Sequence, residues 1–212
     1  MLQSRCGGLI CLIMFLFSAD FVFAVFENRE GSHQRHEPQS QAAEAQQAEV
    51  KLFDLELVNQ DGQTVKFKSE VIGDRVVIMN FIYTTCKTAC PIQTVIFAHL
   101  QEALGPRLGK EVFLVSITLD PATDVPDRLK AYADKHNARN GWVWLTGNKG
   151  NVDQVLLGVG AYSSDIVEHP TMILIGDGRP GNWTRFYGFP KMDNLLEKVD
   201  ELLARHKETP SL

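Results

Sequence analysis

The stretch Cys86-Lys87-Thr88-Ala89-Cys90-Pro91 combines residue types and a spacing that could do chemistry. Four residues is about one helical turn, so a helix that begins at the second cysteine brings both sulfurs to one point. The N-terminus of a helix carries partial positive charge, which favours a thiolate and lowers a cysteine below its free pKa of ~8.5. Paired thiolates are soft ligands that suit Cu(I) and, with more ligands, zinc. The same pair can instead cycle between dithiol and disulfide, with Cys86 attacking a partner and Cys90 resolving the mixed disulfide. A purely structural bridge is a poor account, because residues four apart staple nothing distant. The other two cysteines, Cys6 and Cys11, fall in an apolar leader.

A third ligand would decide between metal and redox chemistry. Of six histidines, His33 and His36 lie in a polar stretch, His99 falls on the expected inner face of a helix, His136 near a helix end and His206 in the tail. His169 differs from these. It stands directly before Pro170 and the apolar run Thr171 to Ile175, and in a thioredoxin-type sheet that strand runs beside the one leading into the cysteines. Tyr83, three before Cys86, reads first as a packing residue, with lining the same site as the alternative.

The elements that must position these residues are legible as an alternation. Leu52–Leu57 and Thr64–Phe67, across Asp61-Gly62, read as a hairpin. Val76–Ile82 is a continuous apolar run, as expected of a strand buried on both faces, and it ends at the cysteines. A helix then starts at Cys90 or Pro91 with Ile92, Val95, Ile96, His99, Leu100 and Ala103 on its inner face. Strands at Val112–Leu119 and Trp142–Leu145 alternate with helices at Pro126–Asn137 and Val152–Val159. An antiparallel pair, Thr171–Ile175 and Trp183–Tyr187, precedes a last helix carrying Leu195, Leu196, Val199, Leu202 and Leu203. This order predicts an α/β fold with a central mixed sheet flanked by helices and an N-terminal β-hairpin extension. Asp120-Pro121 reads first as a strand stop that opens the turn toward a helix start near Asp124, with shaping of the cysteine site as the alternative.

With 212 residues, 44% hydrophobic and 22% charged, the chain suits one globular domain with extra segments. Residues 1–24 read as a signal peptide or a membrane anchor, built on the nine apolar residues Leu9–Phe17, with Ala24 a suitable cleavage point. Residues 25–49 read as a flexible linker, 50–206 as the domain and 207–212 as a tail. The expected location is therefore periplasmic or otherwise extracytoplasmic, either soluble after cleavage or held at the inner membrane. A net charge of −5 without a basic block argues against nucleic acid as a partner, and the lack of GxGxxG or P-loop patterns argues against nucleotides.

The segments FIYTTCKTACP, VSITLDPATDVPDRLKAYADKH and WVWLTG, together with the single His169 before the next-to-last strand, resemble the Sco/SenC family of thioredoxin-fold copper proteins over residues 50–205. The resemblance implies a thioredoxin-like fold and a copper site, for Cu(I) or Cu(II), on Cys86, Cys90 and His169. It also implies a role in supplying copper to, or reducing the cysteines of, cytochrome c oxidase or another copper enzyme, with a thiol reductant as a second partner. His169-Pro170-Thr171 departs from the family pattern toward the Pro-Thr of redox thioredoxins, where the proline is cis, which lends weight to thiol-disulfide chemistry. A peroxidase on the same fold fits less well, since Tyr83 stands where such enzymes carry threonine.

Overall fold

The computed structural model describes residues 45–179 and 182–208. The expected leader and most of the expected linker lie outside the described residues. Among the described residues, eight strands form one sheet in the order β1-β8-β7-β4-β5-β6-β2-β3. They are β1 (Ala45–Ala48), β2 (Glu56–Asn59), β3 (Thr64–Lys66), β4 (Val76–Ile82), β5 (Val112–Thr118), β6 (Trp142–Thr146), β7 (Met172–Asp177) and β8 (Trp183–Tyr187). Four helices cover it: α1 (Ala89–Leu104), α2 (Pro126–Lys135), α3 (Lys149–Val159) and α4 (Met192–Glu208). The mixed α/β architecture is the one expected.

The centre of the sheet follows from β4, every residue of which is buried. It runs parallel to β5, which is parallel to β6, and antiparallel to β7. Because strand side chains alternate, Val76, Ile78 and Ile82 face one core with α1, α2 and α4, while Val77, Met79 and Phe81 face a second core with α3. Asn80 interrupts the apolar run without breaking it, since its side-chain oxygen accepts from Ser116 Oγ at 2.7 Å.

Three expectations shift. The hairpin is shorter than read: its first strand begins at Glu56, with only the Leu55 carbonyl before it accepting the Phe67 N–H at 2.9 Å, and Asn59 sets the turn, its side-chain oxygen accepting from the backbone of Asp61 and Gln63. Its second strand does not continue through Phe67; the chain coils there into a π-helical turn, Phe67–Ile72, that buries Phe67 and Ile72. The polar stretch read as linker up to residue 49 contains β1, an edge strand paired with β8. A polar edge strand shows no apolar alternation, which is why it reads as a tether.

Among the described residues no helix is long and apolar enough to cross a membrane. All described peptide bonds are trans, His169–Pro170 included, so the geometry of redox thioredoxins at that proline is not reproduced.

Candidate metal and thiol site

At the end of β4 the chain turns over Tyr83–Cys86, closed by the Cys86 N–H donating to the Tyr83 carbonyl at 3.1 Å. Helix α1 starts three residues later. Its N-cap, Thr88, makes no side-chain capping bond. The Cys86 sulfur accepts the Cys90 N–H at 3.5 Å instead and lies 3.7 Å from the Thr88 hydroxyl. A thiol thus occupies the place where an N-cap oxygen usually takes up a free helix N–H.

Both thiols are free and buried, Cys86 at 8% exposure and Cys90 at 1%. Burial pushes the Cys86 thiol up, but the hydrogen bonds from the Cys90 thiol and N–H and from Thr88 outweigh it and bring Cys86 down to about 7. Burial, reinforced by the hydrogen bond to the Cys86 sulfur, pushes Cys90 up to about 12. The pair therefore ionises first at Cys86, with Cys90 keeping its proton and sharing it. Lys87 is exposed and solvated.

His169 is half-buried on the segment leading into β7. Its Nδ1 lies 2.6 Å from the Ile166 carbonyl. A carbonyl can only accept, so Nδ1 carries the proton and the Nε2 lone pair is left for a ligand. The register of β7 against β4 brings this segment to the cysteine end of the sheet, and Gln93 of α1 fastens it by donating to the Met172 carbonyl at 3.0 Å. Tyr83 links the two halves of the site. Its ring meets the His169 ring edge-on at 5.8 Å and 77°, and burial together with the neighbouring Cys86 sulfur raises its hydroxyl to about 12.

The structure thus assembles Cys86 with Cys90 and sets His169 on the segment that enters the adjoining strand β7, against Tyr83. Among the described residues no three Cys, His, Asp or Glu side chains are gathered closely enough to hold a metal ion. His99, expected on the inner face of α1, is exposed. Asp124, read in the sequence only as marking a helix start, belongs to the surroundings of the site. It is wholly buried, and its carboxylate takes hydrogen bonds from Thr84, two residues before Cys86, and from Thr118. An acid between Thr123 and Val125 ahead of a helix looks like an ordinary exposed turn residue.

A model of the SCO1/SenC family matches residues 42–203. The chain belongs to this family. SCO1/SenC relatives include a "putative copper-binding protein" of Stutzerimonas stutzeri, 37% identical over 94 residues, which is 44% of each chain. A SCO1 protein homolog of Bacillus subtilis is 34% identical over 90 residues, 42% of this chain and 45% of that one. The matches therefore span less than half the length of these curated relatives. Among solved structures, the SCO1/SenC family lipoprotein from Bacillus anthracis superposes with a TM-score of 0.64 at 24% identity, covering 74% of this chain and 98% of that one. ScoI of Arabidopsis thaliana with copper bound superposes with a TM-score of 0.61 at 21% identity, covering 74% and 99%. At such identities the structures establish the shared thioredoxin-like fold.

Proposed function

We propose that this SCO1/SenC protein is an extracytoplasmic copper carrier that takes up Cu(I) on Cys86 and Cys90, with the Nε2 of His169 drawn in as the third ligand on binding because the three are not gathered beforehand, and passes it to a respiratory copper enzyme such as cytochrome c oxidase. The observation that carries the reading is the pair of buried thiols at a helix N-terminus, one of them ionising near neutral pH, beside a segment whose histidine keeps Nε2 free. Soft sulfur donors with one imidazole suit copper. The copper named for the Stutzerimonas relative and the copper bound in the Arabidopsis structure support it. Copper is cargo here: Cys86 loses its proton readily, Cys90 releases its own to solvent as the metal takes its sulfur, and a low-coordinate site leaves room for a partner's ligands to displace them. Residues 1–24 would export the chain or anchor it.

A second reading rests on the asymmetry of the thiols. The Cys86 thiolate attacks one sulfur of a partner's disulfide and the partner's other sulfur leaves as a thiolate. Cys90 then gives up its proton and attacks Cys86, which releases the second partner thiol. Two electrons pass to the partner, a Cys86–Cys90 disulfide remains, and an external thiol reductant returns it to the dithiol, itself becoming oxidised. One solved relative is described as a disulfide switch in a cytochrome c oxidase assembly protein.

The test is anaerobic Cu(I) loading of reduced residues 25–212, comparing wild type, Cys86→Ser with Cys90→Ser, and His169→Ala. The copper reading expects about one Cu(I) per chain and at least a tenfold loss of affinity in each variant, about 1.4 kcal/mol. Weak binding indifferent to His169→Ala, with a readily cycled disulfide, would leave the oxidoreductase reading in its place.

A further inference from the structure

The turn that carries Cys86 is held from outside the site. Thr84, its second residue, donates its backbone N–H to Asp124 at 3.0 Å and its hydroxyl to the same carboxylate. That hydroxyl in turn accepts from Arg128 Nε at 2.9 Å. Thr118, the last residue of β5, donates its hydroxyl to Asp124 at 2.7 Å and accepts the Asp120 N–H at 3.0 Å. Asp124 is 0% exposed. Burying a carboxylate is costly unless its lone pairs are met, and an apolar residue of similar volume generally serves stability as well or better. The donors here come from the turn that follows β4 and from the end of β5, Ile82 standing opposite Thr118 in the sheet.

We infer that Asp124 is a positioning residue for the thiol site, acting through Thr84. One carboxylate ties the Tyr83–Cys86 turn to the end of β5 and to the segment entering α2. The first residue of that turn, Tyr83, touches the His169 ring, and the last, Cys86, supplies the sulfur that caps α1. Releasing Thr84 frees both contacts together, so the sulfur loses its fixed place relative to the Cys90 N–H and to the imidazole. The arrangement is high-stakes in the way of buried polar networks, since every member is satisfied only in one geometry. This inference rests on reading Cys86 as the functional thiol, and deepens that reading.

The experiment compares wild type with Asp124→Asn, Thr84→Val and Thr84→Ser in residues 25–212. Three quantities are read: the thermal midpoint, the Cys86–Cys90 thiol–disulfide equilibrium in glutathione buffers, and Cu(I) affinity. Asp124→Asn and Thr84→Val are expected to shift the thiol–disulfide equilibrium constant by threefold or more and to weaken Cu(I) by about tenfold. Thr84→Ser, which keeps the hydroxyl, stays within twofold of wild type. Should Asp124→Asn fail to fold, the half-buried and nearly isosteric Thr84→Val decides. Folded variants with wild-type equilibrium and affinity overturn the inference while leaving the copper reading intact. A wild type that binds no copper, with variants that still shift the thiol–disulfide equilibrium, does the reverse.

Discussion

At the scale of single residues, the division of labour between two chemically identical side chains comes from their places on α1. Cys86 lies outside the helix and receives its free N–H, whereas Cys90 lies inside the first turn and donates. The thiolate is the nucleophile, so alkylation of Cys86 should climb as pH rises through about 7 and level off above it. Cys90, its proton held to about 12, should stay silent throughout that range. Mass spectrometry of iodoacetamide-treated reduced protein, sampled between about pH 5 and 10, reads both sites. A Cys86 midpoint near the ~8.5 of a free thiol would mean that the helix terminus holds no charge there. The same asymmetry would suit either proposed function, and for that reason the His169→Ala copper titration, rather than thiol reactivity, separates the two.

At the scale of elements, α1 is the one whose orientation the sequence misled. Ile92, Val95, Ile96, His99 and Leu100 recur at helical spacing, yet Ile92 and Val95 are 49% and 46% exposed. The buried face is Cys90, Gln93, Thr94, Phe97, Leu100, Gln101 and Leu104. Both stripes have helical period, and the polar one is buried because each polar group finds a backbone partner. Gln93 donates to Met172, Thr94 to the Cys90 carbonyl at 2.8 Å, and Gln101 donates to Asn137 and accepts from Arg139. Unmet, these groups would forbid such burial. The assignment is checked by urea unfolding: Phe97→Ala should cost roughly 3–5 kcal/mol, and Ile92→Ser or Val95→Ser no more than about 0.5. Equal losses at all three positions would put the helix in the other phase.

At the scale of the whole molecule, the sheet begins earlier than the apolar pattern does. β1 covers the outer edge of β8, burying Ala48 beside Trp183, so a chain starting at residue 50 would lose that edge. It should fold, since the β4–β5–β6–β7 centre is untouched, but with a loss of roughly 1–3 kcal/mol, or about 3–10 °C in thermal midpoint, relative to one starting at residue 42. An unchanged midpoint would make β1 dispensable. Such contrasts separate what each level of description decides. The alternation of apolar strands and periodic helices determined the α/β order, because burying a strand on both faces demands an uninterrupted apolar run such as Val76–Ile82. The cysteine spacing at a strand-to-helix junction determined where chemistry could occur, because helix geometry and helix dipole are local properties. What lay beyond the sequence is what depends on partners far along the chain. The pairing of a polar edge strand with β8, the choice between two helical stripes on α1, the meeting of Tyr83 with His169, and the burial of Asp124 against Thr84 forty residues away all rest on hydrogen bonds and packing that exist only once the sheet is assembled.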